Sequence, residues 1–362
     1  MFKLGIELSK RGWLWDAGSR WGMRLLIRQS LKKLENYGED HRFDQVARFA
    51  ELLRERPLDP GPDSTPPPYR DVPAEFFACL LGPRRKSTCG LWPEGVDTLA
   101  AAEEAMLELT CRRAGVVDGQ GILELGCGWG SLCLWLAERY PNSRVTAVCE
   151  TGQQLMFIQQ AAAELGLGNL QVVQCEVSAF RPETEECFDR VLSIETFEKF
   201  WNFDELLARV SNCLKPDGQA FLQMFVHRDR GYSLELDARP DWMLTDPVIE
   251  SLIQGRIIPA AALLYHFQRD MEIVSHWTVN GRHYQRTLDA WLHNLDAGRQ
   301  KVLRIFETSM SRSDARSQFH RWRMLLIACA EVFGYRKGRE WFVSHYLLRK
   351  RVRSTSNGAA TT

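Results

Sequence analysis

The chain has 362 residues, 45% of them hydrophobic, which is material for one large domain with an elaboration or for two small domains. Lys plus Arg and Asp plus Glu number 46 each, so no overall field favours nucleic acid, and no apolar run reads as a secretory signal or a transmembrane segment. The ten cysteines are scattered, without a C-x-x-C pair or a His/Cys cluster at metal-ligand spacing, so no metal is expected and a reducing, cytoplasmic setting is.

The first 35 residues hold eight basic and three acidic side chains. Met23, Ile27, Leu31 and Leu34 share one helical face, with Arg24, Arg28, Lys32 and Lys33 largely around it. Such a helix either packs on its own domain or lies at an anionic membrane surface, and packing is the expectation. A second helix spans about Phe43–Arg54. Six prolines between Pro57 and Pro68 make 56–69 an extended connector, because proline fixes φ and removes donors. Pro73–Leu81, the run Lys86–Trp92 and a helix over Leu99–Ala114 complete an N-terminal helical cap, residues 1–114.

From Gly115 the pattern alternates. Strands are expected at Gly121–Leu125, Arg144–Glu150, Leu170–Glu176, Phe188–Ile194 and Gly218–Val226, with helices at Trp129–Tyr140, Gly152–Gly166 and Phe203–Leu214. Lys215-Pro216-Asp217-Gly218 reads as a turn into the fifth strand. The alternation predicts an α/β fold, a doubly wound, mainly parallel sheet with helices on both faces. The remainder of a domain over 115–351 comprises a sixth strand at Met271–Trp277, helices across Thr287–Gly334 and a last strand at Trp341–Leu348. Residues 227–334 are expected to form a helical lid over the substrate, with Tyr232, Trp242, Tyr265, His266 and Phe267 in its first part. The small, polar tail 352–362 is expected to be disordered.

Ligands of such sheets sit beyond the carboxyl ends of the strands, where strand order reverses. At the first strand end stands Glu124-Leu125-Gly126-Cys127-Gly128-Trp129-Gly130, a strand–glycine turn–helix element that lets backbone approach a nucleotide closely. Its spacing is G-x-G-x-G rather than the dinucleotide G-x-G-x-x-G. Glu150, with Gln154 a helical turn on, ends the second strand, where a carboxylate can accept both hydroxyls of a ribose. Glu176 ends the third, placed to accept from an exocyclic amine. The fourth ends in Ser193-Ile194-Glu195-Thr196-Phe197-Glu198-Lys199. Each acid alone reads as a cap or a surface charge; four at successive strand ends read as a site. The histidines at 227, 266, 276 and 283 each read first as structural groups.

These residues resemble the class I S-adenosylmethionine-dependent methyltransferases, and more narrowly the cyclopropane fatty acid synthase superfamily with its coclaurine N-methyltransferase-like branch. The motifs are Glu124–Ser131, Ser193-Ile194-Glu195 with Phe197-Glu198, Leu214–Gly218, Ser275–Tyr284, and Phe333-Gly334-Tyr335 with Glu340-Trp341. The resemblance implies a seven-stranded Rossmann-like sheet with a reversed last strand. It implies that Gly126, Cys127, Gly128 and Gly130 hold the methionine part of S-adenosylmethionine, Glu150 and Gln154 the ribose, and Glu176 and Val177 the adenine. Ile194 lies beside the cofactor in this reading, and Ser87 and Thr88 close over it, Ser87 replacing a tyrosine of the family. Glu195 and Glu198 face the nucleophilic nitrogen of a small-molecule amine, in a pocket shared with Cys89, Gln223, His227 and Tyr284. Lys199 stands where the amine branch has histidine. It either neutralises the acid pair, the preferred reading, or meets an acidic group on the substrate. Cys89, Glu198 and Tyr284 also resemble the bicarbonate site of the lipid-cyclopropanating enzymes, which carry Gly in place of Glu195 and His in place of Gln223. Cyclopropanation of an unsaturated lipid chain is thus the alternative, and cofactor binding without turnover a second one; a homodimer is left open.

Overall fold

The computed structural model describes residues 16–35, 39–58, 72–185, 187–233 and 256–351. Most of the proline-rich connector, Trp242 and the tail 352–362 lie outside the described residues. In chain order come helices α1 (Asp16–Glu35), α2 (Glu39–Arg54), α3 (Ala74–Leu80) and α4 (Leu99–Ala114). They are followed by β1 (Gly121–Leu125), α5 (Ser131–Arg139), β2 (Arg144–Cys149), α6 (Gly152–Glu164), β3 (Leu170–Gln174), β4 (Phe188–Ile194), α7 (Phe203–Cys213) and β5 (Leu214–His227). A two-stranded ribbon of β6 (Tyr232–Ser233) and β7 (Ile257–Ile258) precedes β8 (Met271–Val279), α8 (Gly281–Ala297), α9 (Arg299–Glu307), α10 (Arg312–Gly334) and β9 (Trp341–Lys350).

The main sheet runs β3-β2-β1-β4-β5-β9-β8. β1 to β5 pair in parallel, and β9 runs antiparallel to both its neighbours. All five residues of β1 are buried, as a central strand covered on both faces requires. Order reverses between β1 and β4, so the crevice opens at their carboxyl ends, where the glycine loop and Glu195 stand.

Local chemistry sets the element ends. Thr98 caps α4 by accepting from the Ala101 N–H at 3.2 Å, and Gly115, with φ +63°, closes it. Thr151 and Gln154 form a capping box at the start of α6, so β2 ends at Cys149 and Glu150 stands in the loop. β3 likewise stops at Gln174, and Glu176 precedes a short 3-10 turn, Val177–Ala179. The expected turn Lys215–Gly218 is instead a segment looped out within β5. Pairing jumps from Phe188 opposite Leu214 to Arg190 opposite Gln219, and Lys215 Nζ reaches both oxygens of Asp189 at 2.9 Å. β8 joins the sheet and thereby divides the expected lid, leaving α8, α9 and α10 on one side and the 256–270 stretch on the other.

The apolar side of α1, carried by buried Met23, Ile27 and Leu31, packs with Ala328 and Trp341, while Arg20 and Arg24 reach the buried Glu331 of α10. That helix therefore spends its apolar face inside the molecule. Among the described residues no helix is long and apolar enough to cross a membrane.

Candidate active site

The glycine loop turns on three left-handed residues, Gly126, Gly128 and Gly130, with φ of +79°, +55° and +79°. Side chains there would be strained in conformation, and at Gly126 and Gly130 also in space. A Cβ on Gly126 would collide with the Thr196 side chain, and one on Gly130 would lie 2.7 Å from Ile158. The loop is tied down by Gly126 and Cys127, whose N–H groups both donate to Val148 O, at 3.1 and 2.9 Å. Above it, Ser87 Oγ lies 3.7 Å from where a Gly128 Cβ would be, so the Lys86–Cys89 segment does reach over the loop.

Glu195 follows β4 directly. Its φ of +51° is a left-handed conformation that a non-glycine residue holds only under constraint. The constraint is visible: its N–H donates to Gln223 O at 2.7 Å, and its carboxylate is held from three sides. Gln223 Nε2 (2.8 Å) and the Cys89 N–H (3.3 Å) donate to Oε1, and the Tyr284 hydroxyl donates to Oε2 at 2.7 Å. Three segments remote in sequence thus converge on one acid. Tyr284 and the Cys89 thiol are buried, and burial beside Glu195 holds both well above their ordinary pKa.

Glu198, on the 3-10 turn Phe197–Lys199, is fully buried. Its Oε1 accepts from the Phe225 N–H at 2.7 Å, and its Oε2 has no partner among the described residues. Burial, reinforced by the nearby Glu195, pushes its carboxyl up to about 8. Glu124, also buried and with an unpartnered Oε2, is pushed up to about 8 by burial. Gln223 Oε1 is a further buried acceptor without a partner among the described residues.

Lys199 departs from the preferred reading. Its Nζ lies 2.7 Å from both oxygens of Glu150, across β1 at the tip of β2, and no hydrogen bond or ion pair joins it to Glu195 or Glu198. The neighbouring cation is instead Lys86, a residue outside the site expected from the sequence. Lys86 is buried, bonds Thr88 Oγ1, and feels Glu195, Glu103 and Glu124; burial lowers its pKa and those acids oppose the drop. Its only sequence-level signal is a cation inside the run that also carries Ser87, Thr88 and Cys89.

The other candidates fall in varied places. Gln154 Oε1 accepts from the N–H groups of Glu150 and Thr151, at 3.2 and 3.3 Å, so only its amide NH2 remains for a ligand. Glu176 is exposed at the tip of β3, Val177 is buried, and Ile194 is half-buried at the end of β4. Cys127 is buried next to Cys133 and Cys149. His227 is not drawn into the acid pair. It sits at the far end of β5 against Trp341 and Tyr232, 3.5 Å from Glu340, with the N–H groups of Asp229 and Arg230 donating to Nδ1. The reason is reach along the strand: His227 shares the face of Gln223 but lies four residues farther on, past the Phe225 whose N–H binds Glu198. His276 and His283 have structural partners, Ser344 and the Trp92 N–H.

Comparison with known proteins fits this geometry. The model of the mycolic acid cyclopropane synthetase family matches residues 68–339. An (S)-coclaurine N-methyltransferase of Thalictrum flavum subsp. glaucum is 32% identical over 335 residues, covering 92% of this chain and 88% of that protein. The cyclopropane-fatty-acyl-phospholipid synthase of Escherichia coli (strain K12) is 25% identical over 277 residues, 76% of this chain and 65% of its own. Among solved structures, a coclaurine N-methyltransferase bound to N-methylheliamine and SAH superposes with a TM-score of 0.88 at 31% identity, covering 95% of this chain and 98% of that one. The chain belongs to the mycolic acid cyclopropane synthetase family, on the side of it that holds the coclaurine N-methyltransferases.

Proposed function

We propose that the chain transfers a methyl group from S-adenosylmethionine to the nitrogen of a small-molecule amine. The observation that carries this reading is the buried acid pair Glu195–Glu198 at the tip of β4, next to the glycine loop. The residues present fit the cofactor. Gly128, at φ +55°, has only Ser87 Oγ near an added Cβ, at 3.7 Å, which leaves open backbone for a ligand, while Gly126 and Gly130 lie packed under Thr196 and Ile158. In this reading Gly126, Cys127, Gly128 and Gly130 meet the methionine part, with Ser87, Thr88 and Ile194 around it. Glu150 and the Gln154 amide take the ribose, and Glu176 and Val177 the adenine. Bound there, S-adenosylmethionine supplies an electrophilic methyl on a sulfonium, and the protein's share is to deliver a nitrogen with a free lone pair.

That share is considerable. Simple alkylamines resemble lysine, with a pKa of about 10.4, so about one molecule in ~2,500 is neutral at pH 7. The deficit is worth roughly 4–5 kcal/mol of barrier if the site does nothing. Glu195, fixed by Gln223, Tyr284 and Cys89, binds and orients the ammonium. Glu198, with an unpartnered Oε2 among the described residues and a carboxyl pushed up to about 8, takes the proton when ionised, the minority form at pH 7 and the majority form above about pH 8. A dry crevice also lowers the amine pKa, narrowing the gap between donor and acceptor.

The Glu195 carboxylate also bears on the lipid alternative. It takes up the Cys89 N–H and the Tyr284 hydroxyl, two of the groups in which the chain resembles a bicarbonate site. A resident carboxylate there leaves those donors engaged, which favours the amine. The ten cysteines are all free thiols, and we place the protein in a reducing cytoplasm.

Incubation with methyl-deuterated S-adenosylmethionine and a panel of amines, read by mass spectrometry, tests the assignment. The expected result is an amine carrying the deuteromethyl group. Label found in unsaturated acyl chains instead, or S-adenosylhomocysteine formed with no labelled acceptor, overturns it. Tyr284→Phe is expected to lower kcat/KM for the amine by about 10- to 100-fold, because it strips a donor from a buried carboxylate. S-adenosylhomocysteine affinity, measured by calorimetry, should stay within about twofold, since the hydroxyl faces Glu195 and not the loop.

A further inference from the structure

Gln223 on β5 and His345 on β9 are paired directly across the antiparallel ladder, so their side chains share one face of the sheet. Both are buried, at 1% and 0% exposure. Gln223 gives its Nε2 to Glu195, which leaves Oε1, a buried acceptor without a partner among the described residues. His345 presents the complement. Its Nδ1 lies 2.8 Å from Nη1 of Arg113, in the last turn of α4, and arginine can only donate. Nδ1 therefore accepts, and the ring proton sits on Nε2. That Nε2–H is a buried donor, and it too has no partner among the described residues. Burial, with Arg113, Lys86 and His276 nearby, holds the ring neutral, its pKa well below the ordinary value. Phe221, two residues before Gln223 on the same face, meets the ring edge-on at 5.0 Å, so the ring leans toward β5. Arg113 is itself steadied by Trp277 of β8, its guanidinium 5.1 Å from the ring centroid.

We propose that Arg113 and His345 are positioning residues in a one-way chain of donors that ends on Glu195: Arg113 fixes the tautomer of His345, the His345 Nε2–H fixes the Gln223 amide, and Gln223 gives its NH2 to the carboxylate. The link between His345 and Gln223 is made directly or across one water, which spares two buried polar groups the cost of going unmet. The direction of the chain matters. A Gln223 amide turned the other way would set its oxygen against the Glu195 carboxylate and its NH2 against the Nε2–H, two repulsive contacts in place of two attractive ones. The role of the chain in turnover rests on the reading of Glu195 as the group that binds the ammonium. Orienting that acid in advance lowers the ordering cost of binding, so the effect belongs in KM for the amine more than in kcat.

The test follows the chain link by link in the full protein. Nitrogen NMR of histidine-labelled protein, with the His345 ring assigned by its contact with Phe221, should show the proton on Nε2. Arg113→Lys should keep it there, because lysine also only donates, and Arg113→Met should let the ring populate the other tautomer. The Gln223 side-chain NH2 resonance, assigned through Gln223→Met, should move in Arg113→Met and stay in place in Arg113→Lys. A wild-type ring protonated on Nδ1 overturns the proposal, as does a Gln223 resonance that stays in place when the tautomer changes. In turnover, His345→Phe should raise KM for the amine about tenfold and Arg113→Met about threefold, with kcat falling by less, the scale of one weakened hydrogen bond to a charge. Arg113 is only half-buried, so its variants carry the kinetic test should His345→Phe fail to fold. An unchanged KM in Arg113→Met also overturns the proposal. The spectra need no substrate and so separate the two layers. If the wild type methylates no amine, the reading of Glu195 fails and the resonances alone decide the chain.

Discussion

Glu198→Gln is expected to reduce amine turnover by about 10²- to 10⁴-fold, the usual contribution of a positioned proton acceptor, while S-adenosylhomocysteine binding changes by less than about twofold. The amide is nearly isosteric, and its oxygen can still accept from the Phe225 N–H, so the 3-10 turn should hold. What disappears is the ability to take a proton. Steady-state kinetics beside calorimetry make the comparison, and unreduced turnover in the variant would remove Glu198 from the mechanism. The same variant should be the more stable one at alkaline pH. The Glu198 carboxyl is raised from 4.5 to about 8 by burial and by Glu195. Below its unfolded value both states hold the proton. Between the two values the folded chain keeps a proton that the unfolded chain has released, so stability falls as pH rises across that window. Glutamine has no such term. The melting temperature of the variant should therefore gain on that of the wild type from about pH 4.5 to about pH 8 and then level off. A constant difference would mean that Glu198 is not held protonated. Glu124, raised in the same direction, is present in both proteins and cancels in the comparison.

These acids show what a sequence can reveal of such a site. β1 and the loop after it are legible because an apolar run followed by three alternating glycines has few other uses, and the structure puts all three glycines at positive φ. The acid pair is legible as a placement, since strand ends in a parallel sheet face the crevice. Their different environments are not. The donors that hold Glu195 come from Cys89, Gln223 and Tyr284, up to 106 residues away, and the vacant oxygen of Glu198 exists only after packing. Lys199 has the same difficulty in reverse. Local charge suggests its sequence neighbour Glu198, but consecutive side chains on the tight turn diverge, and the lysine meets an acid 49 residues earlier. The resemblance makes Gln154 a ribose ligand, and what it does not reveal is that the oxygen is engaged by the capping box of its own helix, which leaves the amide. Lys86 carried no expectation at all, since a buried lysine is against the odds until three buried carboxylates are found around it.

Gly281→Ala is expected to damage the fold severely, and its cause lies in space rather than in backbone angle. Gly281 opens α8, the helix that delivers Tyr284 to Glu195. A Cβ there would collide with the carbonyl oxygens of both Trp341, at the start of β9, and Phe333, near the end of α10. Neither obstacle is a flexible side-chain tip. The joint is further closed by the Gly281 N–H donating to Gly338 O at 3.0 Å, and by Asn280, whose oxygen accepts from the Arg282 N–H at 2.9 Å and whose amide donates to Lys337 O at 3.2 Å. Relief requires moving the end of one strand, the start of another or a helix terminus, so the cost should reach at least about 3 kcal/mol. For a chain of 362 residues that corresponds to a loss of at least about 4 °C in melting temperature and a fall in soluble yield. Gly168→Ala is the control, because nothing lies within 4 Å of its added carbon, and it should melt with the wild type. A Gly281→Ala protein that also melts with the wild type would show that α8 does not begin against those two carbonyls. The path by which Tyr284 reaches the acid pair would then have to be redrawn.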